Sequence, residues 1–69
     1  MSIQGYFEAN FKQLKGKIKE EFGKLTDDDL LIIEGSYDKL IGKIQENYEI
    51  SKDEAERRLE DFKRNIENS

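Results

Sequence analysis

Apolar residues recur at spacings of three and four along most of this 69-residue chain, which is the period of an amphipathic helix. Three stripes follow that spacing: Phe11, Leu14, Ile18 and Phe22; Tyr37, Leu40, Ile41, Ile44 and Tyr48; and Ala55, Leu59, Phe62 and Ile66. Most positions between them are polar or charged. The pattern therefore predicts three helices that each turn one apolar face toward a shared core.

A fourth helix is predicted around the four consecutive apolar residues from Leu30 to Ile33. Such a run is also typical of a buried strand, but a capping sequence precedes it and no partner strand is evident. Thr26 has an acidic residue three positions later, as a capping box requires, and Gly35 follows the run. We expect a short helix that is buried on most sides and forms the centre of the core.

Residues that favour helix ends mark the other boundaries. Asn10, Ser36 and Ser51 stand at or just before the starts of the three stripes and are good N-cap residues. Gly23 stands where the first helix should end with a residue in the left-handed conformation. Because Gly5 interrupts any earlier helical pattern, residues 1–9 are predicted to form a loose arm whose aromatic side chains dock on the core.

The segment Tyr37–Tyr48 repeats the frame of Phe11–Phe22, with aromatic, leucine, glycine, lysine, isoleucine and aromatic residues in register. We therefore predict one all-α domain over residues 1–69, a small bundle of four to five helices. The repeat predicts two helical hairpins, at 10–35 and 36–67, that are related by internal duplication.

Two residue types that often take part in enzyme chemistry are missing from the chain. It contains no His and no Cys, which removes the usual general base and two common metal ligands. The acids Asp27, Asp28 and Asp29 are consecutive, whereas calcium loops separate their ligands with spacer residues. Stabilisation of a helix N-terminus explains these acids better. The sequence thus predicts no enzyme activity, metal or cofactor.

The charge and hydropathy of the chain argue against nucleic acid and membrane as partners. Charged residues make up 41% of the chain and the formal net charge is −4, which disfavours general nucleic-acid binding. No segment approaches the roughly 18 apolar residues of a membrane span, and the N-terminus has no signal-peptide core. We expect a cytoplasmic, monomeric protein without membrane contact.

Three lysines on the first helix form a candidate binding face. Lys12, Lys15 and Lys19 share one side of that helix, which suits an anionic partner. A solvated face is the simpler interpretation, because Glu20 and Glu21 dilute the positive potential and no aromatic residues interleave to stack on bases.

Gly16 and Gly42 occupy matching positions in the two repeats. Each costs about 1 kcal/mol relative to Ala inside a helix. At 100° per residue each lies nearly opposite its apolar stripe, so packing of the stripe does not account for it. Close approach by another helix or a partner chain is one explanation, and inheritance from a duplicated ancestor is the other.

The chain resembles the CsbD-like family over residues 10–55. The resemblance rests on the Gly-Lys pairs at 16–17, 23–24 and 42–43 and on the run Leu25-Thr26-Asp27-Asp28-Asp29. It implies a small bacterial protein linked to general stress responses, with no established catalytic residue or cofactor. It also implies two orthogonally packed hairpins, in the manner of sterile-alpha-motif-like folds.

Two departures from the family pattern are visible. Phe11 and Phe22 stand where the family often has Trp, and Glu49 stands where Gly is common. Because Glu resists the left-handed conformation, we expect the third helix to end differently.

The resemblance and the composition together give the functional expectation. It is a non-enzymatic stress-response protein that acts by binding an unknown protein partner or by protection. The alternative is a weak nucleic-acid-binding module that uses Lys12, Lys15 and Lys19.

Overall fold

Four α-helices account for most of residues 3–68, the range that the computed structural model describes. They are α1 (Ile3–Glu21), α2 (Asp27–Ile33), α3 (Tyr37–Tyr48) and α4 (Lys52–Glu67). No strand occurs within the described range, so the all-α prediction is confirmed.

The core draws on all four helices and on the turn after α1. Its buried hydrophobic residues are Phe7, Leu14, Ile18, Phe22, Leu25, Leu30, Ile33, Tyr37, Leu40, Ile41, Ile44, Ala55, Leu59 and Phe62. α3 packs against α1, α2 and α4, and α2 makes its main contact with α3 rather than with α1. The duplicated pair of orthogonal hairpins remains a prediction.

α1 begins at Ile3, so the predicted loose arm over residues 1–9 is wrong from that residue onward, while Met1 and Ser2 lie outside the described residues. Asn10 is not an N-cap, because the residue lies within α1 and its side-chain amide donates to the Tyr6 carbonyl at 2.8 Å. Phe7 is buried and stacks on Phe62, with ring centroids 5.9 Å apart. Burial of a Phe side chain, at about 1.5–3 kcal/mol, offsets the cost of a glycine within the helix.

The predicted caps at Thr26 and Ser36 are confirmed. Asp29 N–H donates to Thr26 Oγ1 at 3.1 Å, and Thr26 N–H donates to Asp29 Oδ2 at 3.0 Å, which completes the capping box. Ser36 Oγ accepts a bond from the Lys39 amide at the start of α3. These bonds satisfy amide groups that have no partner inside their own helix.

α4 begins at a serine N-cap, and the acidic residue three positions after the cap pairs with arginines of the same helix. Ser51 Oγ accepts from the Glu54 amide at 3.2 Å, as predicted. The Glu54 carboxylate, however, pairs with Arg57 and Arg58 on the same helix. The attraction of two guanidinium groups therefore competes with the reciprocal bond of a capping box.

Left-handed backbone occurs at helix ends, though not at every predicted position. Gly23 does not have a positive φ, so the prediction that it ends the first helix in the left-handed conformation is wrong. α1 ends at Glu21, and in the turn that follows the Leu25 N–H donates to the Phe22 carbonyl. Gly35 has φ 84° and follows α2 as predicted. Glu49 adopts φ 53° and ψ 50°, so the expectation that it avoids this conformation is also wrong.

The run from Leu30 to Ile33 is helical, but it is not buried on most sides. Leu30 and Ile33 are buried, whereas Leu31 is 60% exposed and Ile32 is 50% exposed. Four consecutive residues cover almost the full circumference of a helix at 100° per residue. Because α2 packs mainly on α3, two of the four must face outward.

The hydroxyl of Tyr37 is buried and has no hydrogen-bond partner among the described residues. Burial, with weaker contributions from the Glu56, Glu60 and Asp38 carboxylates, raises the pKa of Tyr37 above its ordinary value. Its backbone amide is well satisfied, because it donates to the Glu8 carboxylate of α1 at 3.1 Å. The ring therefore contributes to the core while its hydroxyl opposes burial.

We expect Glu49→Gly to raise the free energy of unfolding by about 1 kcal/mol, because glycine enters the left-handed region without the steric cost of a side chain. Glu46→Gly, inside α3, is the matched control and should lower stability by about 1 kcal/mol. Urea unfolding followed by circular dichroism measures both. Loss of stability in Glu49→Gly would contradict the left-handed assignment.

We expect Tyr37→Phe to be neutral or to raise the free energy of unfolding by about 1 kcal/mol, since it removes an unpaired buried hydroxyl and keeps the ring. Tyr48→Phe is the control. Its hydroxyl accepts a bond from the Lys24 amide at 3.3 Å, so that change should destabilise the protein. The same urea titrations compare the two variants, and a clear loss in Tyr37→Phe would reveal a partner for its hydroxyl.

Candidate functional site

A groove of about 350 Å³ lies between α1 and α2. Its lining comprises Glu8, Ala9, Phe11, Lys12, Lys15, Leu30, Leu31, Glu34 and Gly35. Apolar side chains from both helices line the groove, and charged side chains border it. It exists because α1 and α2 both pack on α3 and do not close against each other along their lengths.

The two large apolar side chains exposed on the described surface belong to α2. Leu31 lines the groove, and Ile32 is its neighbour in sequence. Asp28 precedes them by three and four positions, so the three side chains share the outward face of α2. We call Leu31 and Ile32, together with the groove, the α2 patch.

The predicted basic face of α1 is divided by the fold. Lys19 donates to Asp27 Oδ1 at 2.5 Å, and this bond, reinforced by the charge of Lys19, lowers the pKa of Asp27. Lys12 and Lys15 instead line the groove and form no ion pair within residues 3–68. The structure therefore brings two of the three predicted lysines together with Leu31 and commits the third to a contact between α1 and the start of α2.

Two of the three consecutive acids make contacts at the start of α2. The Thr26 amide, as the largest cause, and the Lys43 ammonium 3.6 Å from Oδ1 lower the pKa of Asp29. Asp27 pairs with Lys19, and Asp28 is exposed. Within residues 3–68 no three carboxylates converge closely enough to hold a metal ion.

Gly16 and Gly42 both face open space. A Cβ atom built on either residue meets no atom within 4 Å outside its own helix backbone. Intramolecular helix packing therefore does not explain them, and neither residue lines the groove. They remain candidate partner contacts, separate from the α2 patch.

Sequence reasoning missed Phe11, Leu31 and Glu34 as groove residues. A signal was present for Leu31, because a run of four apolar residues exceeds what a single buried helix face can hold. The position of Phe11 beside the groove depends on the angle between α1 and α2, which the sequence pattern does not specify.

Fold and surface together define a small, highly charged all-helical protein with an open groove beside its second helix. None of the described helices has both the length and the apolar character needed to cross a membrane. The CsbD-like family model matches residues 6–57, from within α1 to the first turns of α4. The chain therefore belongs to the CsbD-like family.

Similar proteins come from several bacteria. The UPF0337 protein YjbJ of Escherichia coli K12 is 59% identical over 54 residues, which cover 78% of each chain. The YjbJ protein of Salmonella typhimurium is 57% identical over 54 residues, covering 78% of this chain and 77% of its own. The UPF0337 protein NE2439 of Nitrosomonas europaea is 53% identical over 55 residues, covering 80% and 58%. No solved structure gives a significant match.

We expect Gly16→Ala and Gly42→Ala each to raise the free energy of unfolding by about 0.5–1 kcal/mol, because the new methyl group meets open space and Ala favours the helix. Gly35→Ala is the control and should destabilise the protein, since its φ of 84° strains any side chain. Chemical denaturation tests all three. Destabilisation at position 16 or 42 would mean that another segment occupies the space.

Proposed function

We propose that this CsbD-like protein is a non-enzymatic stress-response protein of the cytoplasm that acts by binding other proteins through the α2 patch. The observation that carries the proposal is the exposure of Leu31 at the edge of an open groove, with Ile32, the next residue in sequence, exposed as well. Family membership supports the stress-response role. A chain without Cys suits a reducing compartment.

The exposed apolar residues favour a protein partner. Single exposed hydrophobic residues are ordinary, whereas exposed apolar side chains beside a groove are typical of interaction sites. Full burial of a Leu or Ile side chain is worth about 1.5–3 kcal/mol, so covering two half-exposed side chains contributes roughly 2 kcal/mol. That is enough to favour docking, and Lys12 and Lys15 at the rim add selectivity through charge.

The positions of the groups with shifted pKa values support a role outside catalysis. Asp27 and Asp29, whose pKa values are lowered, stabilise the start of α2. Tyr37, whose pKa is raised, belongs to the core. None of the three lines the groove, whereas active sites concentrate such groups in a cleft.

A nucleic-acid partner is the second candidate, favoured by the ammonium groups of Lys12 and Lys15, which form no ion pair within residues 3–68. Two features weigh against it. Lys19 is paired with Asp27, and the carboxylates of Glu8 and Glu34 line the same groove. Phosphate groups would meet these acids, whereas a protein surface offers both signs of charge.

We expect purified protein used as bait to capture fewer proteins from stressed cells after Leu31→Gln and Ile32→Gln, because these changes keep side-chain length and helix propensity while removing apolar contact. Glu20→Gln, exposed on α1 outside the groove, is the matched control. Equal capture by all variants, with unchanged melting temperatures, would contradict the proposal. Capture that nuclease abolishes, with a steep salt dependence, would instead favour the nucleic-acid alternative.

A further inference from the structure

We propose that a second copy of this chain occupies the α2 patch, forming a weak two-fold symmetric dimer. The inference rests on the proposed function in one respect, that the α2 patch is a protein-binding surface. It goes further by naming the occupant from the charges that surround the apolar centre.

Charges of both signs flank Leu31. On one side, Lys12 and Lys15 of α1 have no ion-pair partner in the described part of the chain. On the other, Asp28 of α2 and Glu34, the C-cap residue that follows α2, are exposed and likewise make no ion pair there. The patch thus has an apolar centre with two lysines on its α1 side and two carboxylates on its α2 side, while the remaining groove carboxylate, Glu8 of α1, already accepts a bond from the Tyr37 amide.

Such a patch is complementary to itself. In a two-fold interface, residue i of one subunit contacts residue j of the other, and j contacts i in return. An axis passing near Leu31 places α2 of each copy over the groove of the other. The lysines of each α1 then face Asp28 and Glu34 of the opposite copy, and the exposed leucines meet at the centre.

The balance of charge favours a second copy over other occupants. A uniformly acidic peptide or a nucleic acid would satisfy the lysines but would face Asp28 and Glu34 with like charge. A uniformly basic peptide would reverse the mismatch. A second copy satisfies both pairs, because each sign meets its opposite across the axis.

The small surface of the molecule limits how strongly two copies can associate. The described residues expose 4554 Å². A standard stable interface covers about 800 Å² on each partner, roughly one sixth of that surface. An interface formed by a groove between two helices and two exposed apolar residues should cover an area toward the small end of this range. We therefore expect the dimer to form at about 0.01–1 mM and to weaken as salt increases.

The test is analytical ultracentrifugation of the full chain from about 10 µM to 1 mM at low salt, a span that brackets weak interfaces. The expected result is a rise in mass from 8.1 kDa toward twice that value. Leu31→Gln with Ile32→Gln should abolish the rise, while Glu20→Gln should leave it unchanged. A mass that stays at 8.1 kDa throughout would overturn the proposal.

Charge reversal identifies the pairing. Lys12→Glu with Lys15→Glu should weaken self-association at least tenfold, roughly the effect of placing like charges together, and so should Asp28→Lys with Glu34→Lys. Mixing the two variants should restore association, because each reversed side then meets its complement. If one double variant fails to fold by circular dichroism, Lys15→Glu and Glu34→Lys provide the single-residue pair. Mixed variants that remain monomeric would overturn the two-fold arrangement.

The dimer and the broader proposal fail in different ways. A chain that stays monomeric while Leu31→Gln and Ile32→Gln still reduce capture overturns only the dimer. A salt-sensitive dimer with unaffected capture supports the dimer and contradicts binding of other proteins through the same patch.

Discussion

Burial of α3 against the other three helices is the contact on which the fold depends. α3 is the shared neighbour of α1, α2 and α4, and it contributes Leu40, Ile41 and Ile44 to the core. A domain of this size buries only about 60% of its unfolded-chain surface, and this chain has no Cys to form a disulfide. Stability must therefore come from this one shared core, which leaves the remaining helix faces open to solvent.

The α2 patch is a consequence of that arrangement. A seven-residue helix that packs chiefly on α3 has one buried face, yet its four apolar residues extend around its circumference. Leu31 and Ile32 consequently face outward. The same packing leaves α1 and α2 apart, so a groove forms next to these side chains. The exposed apolar surface therefore arises because α2 carries more apolar residues than its one buried face can hold.

Charged residues divide into two groups with different roles. Asp29 completes the capping box of α2 and pairs with Lys43 of α3, while Asp27 pairs with Lys19 of α1, so these charges join neighbouring helices. Lys12 and Lys15 have no such partner within the described residues and remain available at the groove. A lysine of α1 forms an ion pair only where a carboxylate of a neighbouring helix lies close enough. For this reason only part of the predicted basic face lies in the candidate site.

Local rules were sufficient for much of this protein. Periodicity and capping determined the helical class and the starts of α2, α3 and α4, because the bonds of Thr26 and Ser51 span only three residues. Tertiary structure decided the rest. Packing of Phe7 made residues 3–9 helical despite Gly5, and it outweighs local propensity because aromatic burial is the larger free energy. Which face of α2 stays exposed depended on where α3 lies, and no local pattern encodes that position.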